Sequence, residues 1–307
     1  MTRNKAQRRQ ILKQNIPLIC MALPIVIYFI LFHYLPVFGI ITAFKDYDNV
    51  SGIFGSPWVG FENFAFFFSS NDAFRVIRNT LSYGVLFNVT GTVCAVFFAL
   101  MLYEITGRRR LKIYQTSMLL PSFISWVIVA YVVFSLLSND YGLFNQLGRM
   151  LDLPTVNWYT RPEYWPSILT VVNIWKSVGM NCIIYYAALM GVDGALFESA
   201  ALDGAGRLRQ IWHISLPAIT PIICMLSILA IGTIMAGNFE LFYQVPMDSG
   251  ALYPTTDIID THLFRRLQSG DIGVSAAVGL FQSMVGLVLV VVTNWSVRKL
   301  NPENAMF

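Results

Sequence analysis

Lys176 stands in the middle of a long apolar run, between Trp175 and Ser177, with Asn173 three residues before it and Asn181, Tyr185 and Tyr186 after it. An ammonium at the centre of a membrane helix costs about 2.5–3.5 kcal/mol, so Lys176 should face water or a partner group. Asn173, at i−3, falls on the same helical face. Asn238, Glu240 and Tyr243 form a second polar group further along. These side chains bind by hydrogen bonding and stacking, and no nucleophile motif stands out among them. His33, His213 and His262 are too scattered for a metal site, and no His-Glu-x-x-His occurs. There is no Gly-Lys dipeptide, so the phosphate-cradling loop Gly-x-x-x-x-Gly-Lys-Ser/Thr is missing. The expected chemistry is binding and passage, with no catalytic residue, metal or cofactor in the chain. The polar groups have a second reading as glue between helices, and for Asn173 and Asn181 the two weigh equally. Trp175 and Tyr185 are equally compatible with a lipid-facing place.

A second set of residues lies in Glu198-Ser-Ala-Ala-Leu-Asp-Gly-Ala-Gly-Arg-Leu-Arg-Gln-Ile-Trp-His-Ile-Ser-Leu-Pro217. Glu198 to Leu202 reads as helix and Asp203-Gly-Ala-Gly206 as a turn by composition. Helical spacing then resumes with Leu208, Ile211, Trp212 and Ile214 towards one face. Leu216-Pro217 opens the next apolar run, where Pro is tolerated in the first helical turn. By composition alone, this is an amphipathic connector lying on the membrane or a docking surface with an apolar plug at Ile211 and Trp212.

The elements that must position these groups follow from composition. The 307 residues are 56% hydrophobic and only 12% charged, against about 25% charged in soluble domains. About 20 apolar residues cross the hydrocarbon core, and six segments qualify, about 17–43, 79–103, 113–137, 166–190, 217–239 and 274–297. Each must be helical, because lipid offers no partner for backbone polar groups. The expected fold is therefore all-α, an integral membrane bundle of six transmembrane helices.

Lys and Arg concentrate on one side, in residues 3–13, 108–112, 207–209 and 298–299. That bias places both termini and the loop 191–217 in the cytoplasm. The expected organisation is a cytoplasmic segment 1–15, a six-span domain 16–300 and a cytoplasmic tail 301–307. The first span reads as a retained signal anchor, being longer than a cleaved leader's apolar core. Cys20, Cys94, Cys182 and Cys224 each fall in an apolar run, without metal spacing. Asp257 to Arg266, in the third outer loop, has the spacing of a helix lying at the surface. Neither an internal repeat nor a span broken near mid-membrane is evident, and both are common in gradient-driven carriers. An intramembrane enzyme would need a catalytic constellation that is equally absent.

The series Glu198, Ala200, Ala201, Asp203, Gly204, Ala205, then Ile214 and Leu216-Pro217, resembles the EAA loop of binding-protein-dependent ABC importer permeases. Nine residues separate Gly204 from Ile214 as in that motif, and Ser199 replaces its usual Ala. Phe32 to Tyr47, Trp58 to Phe64, Asn173 to Gly179 and Gly270 to Gln282 are similar to the sugar-importer branch, especially to permeases for oligosaccharides released from polysaccharides. Gly237 to Tyr243 departs from that subgroup by small substitutions. The resemblance implies a permease working by alternating access in the cytoplasmic membrane. Its implied partners are a second permease, two copies of a cytoplasmic ATPase that holds ATP and Mg, and an extracellular sugar-binding protein. It implies that residues 198–217 dock on the ATPase. A sugar path would use aromatic platforms such as Trp175 and Tyr185 beside the polar groups named above. Permeases for disaccharides or glycerol phosphates are the alternative within the family.

Overall fold

The computed structural model describes the backbone of residues 5–300 and the side chains of residues 15–299. The expected tail 301–307 and the first four residues of the segment 1–15 lie outside them. Among the described residues there is no β-strand, only an isolated bridge between Lys45 and Trp58. Five helical stretches are long and apolar enough to cross a membrane, and the remaining crossing is two helices meeting at 97°.

The first span begins as α1 (Lys5–Phe29) and continues through a π turn to a 3-10 segment that ends at Phe44. Its stretch Asn15–Phe44 is largely uncovered by the rest of the chain, and only its C-terminal end, at Thr42 and Ala43, is buried. A short helix α2 (Glu62–Ser69) then leads to α3 (Asn71–Tyr103). Ser70 caps α3 by accepting from the Ala73 N–H at 3.3 Å, satisfying one of the donors a helix start leaves free.

The segment expected as one span over 113–137 is broken. Helix α4 (Arg108–Leu119) runs into a 3-10 turn, and a second helix, α5 (Trp126–Leu137), leaves at a steep angle. Pro121 lacks an N–H, and Ser125 caps α5 by accepting from the Ile128 N–H at 3.4 Å. This chain therefore does carry a broken span, contrary to the sequence reading.

After a short helix α6 (Leu143–Met150), the fourth span is α7 (Trp165–Met190). Helix α8 (Gly194–Leu202) leads to the fifth span, which runs helically from Arg207 through a π turn, Ile211–Ser215, into α9 (Leu216–Gly232). The expected span 217–239 is thus corrected at its C-terminal end, where the helix stops at Gly232. Residues 233–238 are irregular until α10 (Phe239–Gln244). Helix α11 (Ile259–Gln268) precedes the last span, α12 (Ile272–Leu300).

Small residues set the packing. Gly91, Ala95 and Ala99 on α3 and Gly179 and Cys182 on α7 are buried, which lets helix backbones approach closely. At Gly179 an added Cβ would lie 1.9 Å from the Met118 carbonyl oxygen, so α7 and α4 touch through backbone. Gly179→Val should therefore cost more than the roughly 1–3 kcal/mol usual for overpacking. The expected outcome is loss of the monodisperse peak in detergent size-exclusion chromatography.

The helix expected to lie at the surface over 257–266 is partly buried instead. Ile259, Thr261 and His262 are buried, and Asp257 precedes the helix in a network at 2% exposure. Asp257 meets Arg75 at 3.1 Å, Thr261 at 2.9 Å and also Arg265. Burial alone would raise its carboxyl. The contacts with His262, Arg265 and Thr261 outweigh burial and hold it below the ordinary value. A depressed carboxyl gives stability that is present above the unfolded value, about 3.9, and lost as pH falls through the folded one. The midpoint of thermal unfolding should thus be insensitive to this group from pH 8 to about 5 and fall below about 4. The fall should shrink in Asp257→Asn.

Candidate functional site

Two sites emerge, joined by α7 and the fifth span. The first is the loop from α8 into that span. Asp193 starts α8 by accepting from the Ala195 N–H at 3.0 Å. Glu198, Ala200 and Ala201 lie on the helix, and Asp203 ends it. The Gly204 N–H donates to the Ala201 carbonyl at 3.0 Å and the Ala205 N–H to the Ala200 carbonyl at 2.9 Å. That pair of bonds is a Schellman termination, which needs a left-handed residue at its turn. Gly204 supplies it with φ +79°. Gln210 closes the turn by donating to the Ala205 carbonyl at 3.1 Å, and Arg207 pairs with Glu104 at the end of α3.

The loop's outer surface has no apolar cover in this chain. Leu202 is 89% exposed, and Leu196, Leu208 and Trp212 are exposed beside it. Glu198, Ala201, Asp203, Gly204 and Pro217 are exposed, Ala200, Ala205, Ile211, Ile214 and Leu216 half-buried. The helix expected before the membrane is continuous with the fifth span, so movement of the turn is movement of α9. Exposed apolar side chains gathered on one polar loop suit an interaction surface.

The second site is a cavity lined by amides and hydroxyls, where the third span is broken and the fifth span ends. At the break the carbonyls of Ser122 and Ile124 accept no backbone N–H among the described residues, and that of Pro121 keeps only the Ile124 N–H, at 3.2 Å. The Lys176 Nζ donates to all three, at 3.3 Å for Pro121 and 3.2 Å for Ser122. The Ser122 hydroxyl donates back to the Lys176 carbonyl at 2.9 Å, and the ammonium lies 5.0 Å from the Trp126 ring centroid. Irregular backbone at membrane depth is tolerated only where protein or cavity water satisfies it, and Lys176 does so here.

The end of the fifth span, after Gly232, is held by α11 and α12. The Gly237 N–H donates to Asp260 at 2.7 Å, and Gln282 donates to the Met235 carbonyl at 2.7 Å and to Asp260 at 3.0 Å. Burial pushes the Asp260 carboxyl up, against the bonds from Gln282 and Gly237. Asn238 caps α10 by accepting from the Leu241 N–H at 3.2 Å.

Between the break and this end lie two adjoining hollows of about 320 Å³ and 520 Å³. Asn173, Ser177, Asn181 and Asn238 line both. Tyr185 lines the first, Lys176 and Glu240 the second. Six of the eight residues expected on the path therefore converge. Trp175 and Tyr243 line neither hollow. Trp175 is exposed, and Tyr243 stacks on Phe239 at 5.1 Å and meets Phe264 edge-on. Sequence reasoning missed Ser122, Ser125 and Trp126 at the break, and Tyr83, Asn88 and Thr92 on α3. Pro121 inside an apolar run was the available signal for the break. The neutral polar residues of α3 gave none, because hydroxyls and amides occur widely on packed membrane helices.

Residues 88–304 match the family of binding-protein-dependent transport system inner membrane components. The chain is similar to the polygalacturonan/rhamnogalacturonan transport system permease protein YteP of Bacillus subtilis, 38% identical over 97% of this chain and 94% of that protein. It is 36% identical to protein LplB of the same organism, over 95% and 92% of the two chains. The sn-glycerol-3-phosphate transport system permease protein UgpA of Shigella flexneri is 28% identical over 78% of each chain. Among solved structures, a chain of a bacterial ABC transporter involved in import of the acidic polysaccharide alginate superposes with a TM-score of 0.88. It is 35% identical, covering 96% of this chain and 99% of that one. The broken span, the uncovered loop and a family match across most of the chain agree, and this protein belongs to the binding-protein-dependent ABC transport system inner membrane component family.

Proposed function

We propose that this chain is one of two permease subunits of an ATP-driven importer for oligosaccharides released from polysaccharides. Both its termini and the loop 191–217 face the cytoplasm. The observation that carries the reading is the uncovered Schellman turn at Gly204, continuous with the helix that walls the cavity. A partner gripping Leu202, Leu208 and Trp212 would move α9 as a rigid lever. The cavity between α3, α7, the broken span and the end of the fifth span would then open to one side or the other, which is alternating access. Its amides, hydroxyls and the rings of Trp126 and Phe242 suit sugar hydroxyl edges and C–H faces.

ATP and Mg belong to two copies of a cytoplasmic ATPase seated on residues 198–217 and on the matching loop of a second, non-identical permease. An extracellular sugar-binding protein delivers the substrate. The relatives support the substrate class: those matched over almost the whole chain at 35–38% identity include proteins named for polygalacturonan/rhamnogalacturonan and for alginate. The glycerol-phosphate permease supports the alternative of small substrates over a shorter stretch, at lower identity. Affinity purification from the native membrane tests the assembly. Recovery of an ATPase and a second six-span subunit is expected, followed by ATP-dependent uptake of labelled oligosaccharides in proteoliposomes given the binding protein. Purification of the chain alone under gentle detergent would contradict the assembly, and uptake of disaccharides only would contradict the substrate class.

A further inference from the structure

A separate groove of about 590 Å³ lies at the coupling-loop end of α3, away from the transport cavity. Phe98, Met101 and Leu102 form one wall, Tyr114 and Met118 the other, and Arg110 stands at the rim. Met101 and Tyr114 are exposed, so the groove is open to whatever surrounds the bundle. Beside it, Arg108, Arg109, Arg110 and Lys112 are all exposed. None of the four is among the ion pairs of the described residues.

We infer that this groove holds an anionic phospholipid, with an acyl chain between Met101 and Tyr114 and its phosphate on Arg110 and the neighbouring basic residues. The volume falls within the roughly 300–1,000 Å³ of small-molecule sites. The apolar run of α3 ends at Tyr103, which sets Arg108 to Lys112 at headgroup level, where each basic residue gains about 1 kcal/mol against an anionic leaflet. An open apolar wall beside four cations that form no ion pair among the described residues matches a molecule that is apolar at one end and anionic at the other. The site adjoins the coupling loop. Glu104, on the groove, pairs with Arg207, and the Tyr103 ring packs 5.6 Å from Phe197. Lipid in the groove would therefore steady the α3 end against which the loop moves.

The test is native mass spectrometry of the full chain, with any subunits that accompany it, delipidated and titrated with phosphatidylglycerol or phosphatidylcholine. Preferential retention of one phosphatidylglycerol per chain is expected. Arg110→Gln should weaken it about fivefold, the equivalent of about 1 kcal/mol, and Met101→Trp should displace it by filling the groove. Both positions are exposed, so neither variant should disturb folding, and an unchanged elution volume checks this. Equal retention of the two lipids, or no loss in Arg110→Gln, would overturn the headgroup site. Unchanged retention in Met101→Trp, or protection of Met101 by another subunit from oxidative labelling, would overturn occupancy of the groove.

Discussion

Gly204→Asp should abolish uptake while leaving the spans inserted and the protein monodisperse. Two effects add. The left-handed conformation costs an L-residue about 1–2 kcal/mol, although an added Cβ would meet no heavy atom within 4 Å. The larger effect is the carboxylate itself, set among Leu202, Leu208 and Trp212 on the surface proposed to be covered by the ATPase. Burying an unpaired charge in an apolar interface costs several kcal/mol, so a loss of uptake of about a hundredfold or more is expected. Gly204→Asn separates the two effects, because Asn tolerates the left-handed region without charge. It should keep most of the uptake. Equal failure of both variants in transport assays would assign the turn's role to backbone shape rather than to docking.

The second large effect is expected at Lys176. From the sequence, an ammonium in an apolar span points to the substrate path, with replacement altering transport alone. The geometry gives it a prior duty, because it donates to three carbonyls at the break, of which only that of Pro121 has a backbone donor as well. Lys176→Met keeps the length and removes the donors. Leaving buried acceptors unpaired costs about 1–3 kcal/mol, moderated where cavity water can reach them. The unfolding midpoint of the purified protein should fall, and uptake should fall with it, because α4 and α5 lose their fixed angle at the cavity. Ser122→Ala, which removes one bond to the Lys176 carbonyl, should do the same more weakly. An unchanged midpoint with lost uptake would place Lys176 on the path alone.

What the sequence disclosed and what it hid have physical causes. Apolar length reports that a segment lies in lipid, so α7, α12 and the end of α3 were legible near their observed limits. It reports nothing about continuity, because a broken span is as apolar as a straight one. The break at 120–125 exists because a donor 52–55 residues away satisfies its carbonyls. The stop at Gly232 rests likewise on Asp260 and Gln282 from other elements. The turn at Gly204 was legible because its cause is local, a glycine following a helix of small residues. Asp257 to Arg266 shows the opposite failure. Its apolar spacing was read correctly, but the face it presents is covered by neighbours that no local pattern names. Trp175 is exposed, in keeping with the lipid-facing alternative, since an aromatic beside a buried Lys points away once Lys176 fixes the helix face.

The loop around Gly204 is proposed to receive force from an ATPase and to pass it to the cavity through α9. Ala201 is exposed on that loop, and a cysteine there can carry a photoactivatable group through a disulfide, which crosslinks to any neighbouring side chain in native membranes and is released by reduction. Crosslinking of Ala201→Cys to the ATPase subunit, with loss of ATP-driven uptake that reduction restores, is the predicted result. Free uptake with no crosslink to an ATPase would contradict it, and the loop would then be an amphipathic connector lying on the membrane.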